Sequence, residues 1–304
     1  MVIVSSRAGQ LANRIIHFSN FIANAIEHDY RLLYPFFDEY REYFEKIEQN
    51  DFDGYKISSR LVQNKCLNTS LSNYLFFFHR LFRKVGLTKL PFLEFHSVLT
   101  HDEQDLAYSM ENPAFVDLAK KNLLLTFGWS YRDEVNFKKH ASFIRTVFTP
   151  LPVYQEETKR ILAECKSKGE VVVGIHIRRG DYKAFNGGKW YFEDEVYLEK
   201  MKQMRALLKQ HGKTCVFLVC SNEAVNVDYF SELDVVAEPK HFIVDLYALA
   251  KCDYLIGPPS TFTIWASFYG QVPLFKIERT DSPVILSNFK IHYKCLQTTE
   301  SVLK

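Results

Sequence analysis

The stretch Glu170-Val-Val-Val-Gly-Ile-His176-Ile-Arg178-Arg179-Gly180-Asp181-Tyr182 decides the fold. A continuous apolar run of this length, ended by a polar cluster that contains glycine, reads as a strand buried on both faces and opening into a loop. It sits in a regular alternation. An amphipathic helix precedes it from Pro152 through about Lys168, and a helix through about Gln210 and the apolar strand Thr214 to Cys220 follow. Asp245 to Lys251 then reads as a helix, Tyr254 to Ile256 as a strand, and Ser260 to Tyr269 as a helix opened by Pro258-Pro259-Ser260. Strands alternating with helices predict a parallel, Rossmann-like α/β unit.

The N-terminus opens a second unit of the same kind. Val2-Ile3-Val4 is a short apolar run, Gly9 follows it, and apolar residues recur at Leu11, Ile15, Phe18, Ile22 and Ala25, the spacing of one buried helix face. Arg31 to Pro35 and Asn122 to Gly128 supply further strand candidates, and Thr149-Pro-Leu-Pro152 punctuates the chain near its midpoint. Residues 36 to 83 show no clean period. The predicted architecture is therefore α/β, with Rossmann-like domains at residues 1–150 and 151–304 facing a central cleft. A length of 304 residues suits two domains, each with its own core.

Composition excludes several classes. A formal net charge of +2 gives no field for nonspecific nucleic-acid binding, so any anion must be bound locally. Six cysteines without paired CxxC spacing point to reduced thiols rather than a disulfide framework or a zinc site. No leader-like N-terminus and no window of about 18 apolar residues stands out, so the expected setting is cytoplasmic, without a transmembrane segment. The composition leaves the oligomeric state open.

The chemistry concentrates at predicted strand ends, where open α/β sheets bind ligands. Arg178 and Arg179 are costly to hold side by side without an anion, and a guanidinium matches a diphosphate in bidentate geometry. Strand alternation lets only one of them reach phosphate; the other braces the loop through Asp181. The alternative is a pair of surface salt bridges. Ser260, with Thr261 and Phe262, starts a helix after an apolar strand, and hydroxyls and amides there can cradle a phosphate; a simple N-cap explains Ser260 equally well. Glu223 ends another strand and either accepts hydrogen bonds from a guanine or serves as an early-turn carboxylate. Gly9 and Asn13 set a glycine turn at the head of the first helix. HExxH, GxxxxGK[ST] and GxGxxG motifs are absent, and no strand-end loop carries an Asp-x-Asp pair. That pattern favours a diphosphate held by arginine and amides over one held by a metal.

On these residues the chain resembles the fucosyltransferase superfamily of α-1,2-, α-1,6- and protein O-fucosyltransferases, and is most similar to its bacterial α-1,2 family. His176-Ile-Arg178-Arg179-Gly180-Asp181-Tyr182 looks like the HxRRGDY motif. Gly9-x-Leu11-x-Asn13 is similar to the N-terminal glycine-rich loop, and Asp245-Leu-Tyr-Ala-Leu with Ser260-Thr261-Phe262 and Trp265 resembles a block that usually reads DLYLMS then NSTFSWW. The resemblance implies a GT-B architecture and inverting, metal-independent transfer from GDP-fucose, without a cofactor, to a glycan acceptor in carbohydrate biosynthesis. It places Arg178 on the β-phosphate, His176 and Glu223 near the nucleoside, Ser260 and Thr261 at the phosphates, and Gly9, Asn13, Arg179 and Phe262 around the donor. Pro258-Pro259 and Thr263-Ile264 depart from the usual Ala/Ser-Asn and Ser-Trp, so the loop beside the diphosphate can be shaped for another sugar. For the acceptor's proton, Asp181 is either the base or an arginine brace, with His17 the runner-up. The loop Phe185 to Phe192 offers aromatic faces on which an acceptor sugar could stack.

Overall fold

Val2–Val4 forms β1, with all three residues buried, in a computed structural model that describes residues 1–98, 106–238, 240–293 and 297–298. The chain divides into two compact units, one holding Met1–Leu151 and the strand Gln297–Thr298, the other Pro152–Tyr293.

In the first unit the chain runs from β1 through α1 (Leu11–His28), β2 (Leu32–Leu33), α2 (Glu45–Gln49), β3 (Ile57–Ser58), α3 (Lys65–Lys84), β4 (Lys89–Leu90), β5 (Leu93–Ser97) and β6 (Leu106–Ser109). It continues with α4 (Pro113–Lys121), β7 (Leu123–Phe127), β8 (Tyr131–Arg132), α5 (Glu134–Lys139) and α6 (Ala141–Val147). The main sheet has the order β3-β2-β1-β7-β5-β4, parallel throughout except for the β4–β5 hairpin at one edge. The Leu11, Ile15, Phe18, Ile22 and Ala25 face of α1 is buried, but so are Arg14, His17, Asn20 and Asn24. Protein therefore surrounds this helix, and several of its polar side chains find partners inside the unit. Asn24 donates to the Asp133 carboxylate at 2.7 Å, the Asp133 amide donates to Asn20 at 2.8 Å, and Arg14 donates to the Phe36 carbonyl at 3.0 Å.

The second unit contains α7 (Pro152–Lys168), β9 (Val171–Ile177), α8 (Asp194–Gln210), β10 (Cys215–Ser221), β11 (Val235–Val236), α9 (Phe242–Leu249), β12 (Tyr254–Gly257), α10 (Thr261–Gly270) and β13 (Leu274–Lys276). The final strand, β14 (Gln297–Thr298), pairs with β6 of the first unit. The second unit's sheet is wholly parallel, in the order β11-β10-β9-β12-β13. Val173, Ile175 and Ile177 of β9 pack with Tyr197, Met201 and Phe217 in one core. The chain builds outward from β9 through β10 to β11, then crosses to the other side of β9 for β12 and β13. That reversal creates a switch point between β9 and β12, and the crevice at their carboxyl ends is where a doubly wound sheet takes a ligand. No helix among the described residues is long and apolar enough to cross a membrane.

Candidate functional site

At the switch point the sequence delivers two loops, His176 to Tyr182 after β9 and Pro258 to Phe262 after β12, and side chains stitch them together. The His176 ring stacks on Phe262 with centroids 5.0 Å apart. The Tyr182 hydroxyl donates to the Pro259 carbonyl at 2.7 Å. Gly257 closes the gap, since a Cβ there would lie 3.1 Å from the His176 carbonyl and 3.2 Å from its Cβ. A third loop joins from β10, because the Arg179 amide donates to the Asn222 side-chain oxygen at 2.8 Å. Gly180 has a φ of +61°, and a Cβ on it would lie 3.0 Å from the Asn222 amide and 3.3 Å from a Glu223 oxygen.

The two arginines have separate tasks. Arg179 is consumed locally: it donates to the Phe192 carbonyl at 2.9 Å, pairs with Asp194 at the start of α8 and with Glu193, and covers the Tyr191 ring. The brace anticipated through Asp181 runs through Asp194 instead, and Asp181 pairs with Arg178 at 2.7 Å. The reason is directional: alternation sends Arg179 toward α8, while the turn at Gly180 brings Asp181 back under Arg178. Arg178 lies over the Tyr182 ring, and its Nε is buried with no partner among the described residues. A buried guanidinium donor left over after one ion pair is a place for an anion.

Burial, reinforced by the Arg178 guanidinium, pushes the His176 imidazole down to about 3, so the ring is neutral at neutral pH. Its Nδ1 is buried without a partner among the described residues. Ser260 caps α10, accepting from the Phe262 amide at 3.2 Å. Thr261 is the first residue of that helix and is half-buried. Glu223 is exposed and its amide donates to the Ser221 hydroxyl. No α-helix starts at Glu223, so it is not an early-turn carboxylate. His176, Arg178, Arg179, Asp181, Glu223, Ser260, Thr261 and Phe262 thus belong to one end of the second unit's sheet. Gly9 and Asn13 belong to the first unit, where the Gly9 carbonyl accepts from Arg14 at 3.0 Å. His17 is fully buried among Phe21, Tyr34 and Tyr131 and bonded to the Tyr34 hydroxyl at 2.8 Å, which removes it as a base for an incoming acceptor.

The sequence reading missed Asn222, the Tyr182 hydroxyl and Asp245 as parts of this end of the sheet. Asp245, on α9, pairs with Lys240 at 3.5 Å and touches the Cys220 thiol at the end of β10. Burial raises its carboxyl to about 6 against the pull of Lys240. Its signal was available, because Asp245 opens the Asp-Leu-Tyr block. Beyond the arginines, Tyr182, Phe185 and Trp190 form a run of ring contacts at 5.4 and 6.0 Å, with Phe185 exposed. Among the described residues no group of three His, Cys, Asp or Glu side chains is placed to hold a metal ion.

Comparison with known proteins agrees with this geometry. The chain is similar in fold to a mutant of Arabidopsis thaliana FUT1 solved with GDP (TM-score 0.57, 14% identity, covering 95% of this chain and 73% of that one). It is likewise similar to the fucosyltransferase NodZ from Bradyrhizobium (TM-score 0.56, 16% identity, 95% and 96% covered). POFUT1 solved with GDP-fucose matches at a TM-score of 0.50 and 12% identity, with 89% and 93% covered. At these identities the likeness is one of fold, the GT-B class of these enzymes. No curated protein sequence matches significantly. Residues 129–293, more than half of the chain and including the whole second unit, match the model described as Glycosyl transferase family 11. The chain therefore belongs to glycosyl transferase family 11 and is a glycosyltransferase.

Proposed function

We propose that this enzyme transfers fucose from GDP-fucose to a hydroxyl of a glycan acceptor, with inversion and an α-1,2 linkage, and without a metal or other cofactor. The observation that carries the reading is Arg178, an arginine with an unspent buried donor at the switch point of a parallel sheet, beside the N-terminus of α10. The family membership and the GDP and GDP-fucose complexes of similar folds support the donor. The HxRRGDY motif and the DLY block support the bacterial α-1,2 branch.

In this mechanism the acceptor hydroxyl oxygen forms a bond to the anomeric carbon as the bond from that carbon to the β-phosphate oxygen breaks; GDP leaves with the bonding electrons, and the hydroxyl proton is released to solvent. Arg178 meets the charge that develops on the β-phosphate, held in place before reaction by Asp181 and Tyr182. Ser260, Thr261 and the first amides of α10 face the phosphates. Neutral His176 and Glu223 recognise the nucleoside. An acceptor sugar stacks on Phe185 and Trp190.

The test is calorimetric titration of GDP-fucose in the presence of EDTA, with GDP-mannose and UDP-glucose as controls, followed by NMR of the product formed with candidate glycans. Selective binding of GDP-fucose and an α-1,2-fucosylated product are expected. Selective binding of a different donor would assign the Pro258-Pro259 loop to another sugar and withdraw fucose.

A further inference from the structure

The helix α3 leaves an apolar stripe on its outer face. Leu67, Leu71, Tyr74, Phe78, Leu81 and Val85 recur at spacings of four and three, which places them on one stripe, and every one of them is exposed. Tyr74 is 73% exposed and Leu81 58%, and Phe77 beside them is 64% exposed. The opposite face, turned into the unit, packs Leu75 and Phe82 on the Ile3, Phe95 and Leu125 core and also carries the polar Asn68, Ser72 and His79. These are fully partnered. Asn68 donates to the Pro35 carbonyl and the Asp38 carboxylate, Ser72 donates to the Asn68 carbonyl, and His79 bonds Ser5 and Ser97. The β4–β5 turn that follows α3 presents Phe92 at 89% exposure. An aromatic stripe of this extent is larger than the scattered apolar residues of an ordinary surface, and marks a contact face.

Charge decides what it contacts. Between Asp53 and Glu94 the sequence holds seven Lys and Arg and no Asp or Glu. Arg80 and Lys84 are exposed along one flank of the stripe. A second copy of the chain laid along the same seam would set Arg80 and Lys84 against their own kind, with no carboxylate on the helix to answer them. An aromatic and aliphatic stripe on a helix that carries cations and no carboxylate of its own is the composition that settles into the interface of a negatively charged bilayer, rings at headgroup depth and cations against the phosphates.

We propose that α3 and the Phe92 turn form a docking surface for an anionic phospholipid bilayer. This holds whatever donor the enzyme uses, because none of these residues belongs to the nucleotide site. The test is co-sedimentation of the full chain with vesicles of phosphatidylcholine alone and with about 30% phosphatidylglycerol added. Binding to the anionic vesicles, weakened by salt and by about tenfold or more in both Tyr74→Ser/Phe77→Ser/Leu81→Ser and Arg80→Glu/Lys84→Glu, is the expected result. Circular-dichroism melting of both variants should match the parent, since the altered side chains are exposed. Failure to bind anionic vesicles, equal binding to both vesicle types, or binding that neither variant changes would overturn the proposal. A lipid-free dimer that the triple variant converts to monomer would also overturn it, in favour of a self-paired helix.

Discussion

Arg178 and Arg179 are adjacent in sequence and opposite in consequence, and their replacement should separate chemistry from stability. Arg178→Lys keeps the charge but loses the planar fork, and should lower kcat by about 100-fold or more with the melting temperature nearly unchanged. Arg179→Met strips the Phe192 carbonyl and Asp194 of their partner, and should cost about 1–3 kcal/mol in chemical denaturation while leaving kcat of the folded fraction within a few-fold. Asp181 is distinguished by its pH profile. As the partner that aims Arg178, its Asp181→Asn variant should turn over more slowly with the acid limb of kcat in place; disappearance of that limb would make it the base.

At the scale of elements, the site exists because three strand ends are tied into one loop cluster. Gly180 is where the tie is tightest: its φ of +61° disfavours any side chain, and a would-be Cβ would press on the Asn222 side-chain amide at 3.0 Å. Gly180→Ala should destabilise the protein by about 1 kcal/mol and weaken donor binding in calorimetry, since the left-handed backbone is strained for alanine and the Asn222 and Glu223 side chains must shift to admit the methyl. Element boundaries were largely legible. The apolar runs at β9, β10 and β12 fixed those strands to within a residue or so, because strands buried on both faces carry no alternation to misread. The helix α3 escaped the reading although its four-three spacing is present, because the three consecutive phenylalanines Phe76 to Phe78 blur the stripe and because that stripe faces outward. The two-residue strands β2, β3, β4, β8, β11 and β14 were too short for any periodicity to register, and only β2 lay within an expected strand.

Across the whole molecule, several histidines are held neutral by burial, and this sets an acid limit. Burial first, then nearby cations, lowers His79 to about 4, His176 to about 3 and His292 to about 4, each from 6.5. For a base whose folded value is depressed, the unfolded chain binds the proton first, so full stability is present above pH 6.5 and is lost as pH falls toward 4. Each such imidazole contributes a slope of about 1.4 kcal/mol per pH unit in that window. Urea unfolding at pH 7.5, 6.0 and 5.0 should show a falling midpoint, and His79→Gln should flatten the slope. A midpoint independent of pH over this range would contradict the assignment.

The sequence alone determined the α/β class, the parallel second unit and the place of its strand-end polar clusters, since alternation and strand-end polarity are local properties of the chain. It also brought the phosphate-binding candidates to the ends of β9 and β12. Tertiary structure decided the division of labour within that cluster. That Arg179 is consumed by Phe192 and Asp194, that His17 is sealed in an aromatic core, and that α3 leaves an apolar stripe facing outward all depend on contacts between residues apart in sequence. Such contacts are set by packing and by the partners that burial demands, and neither is encoded in the spacing of a single segment.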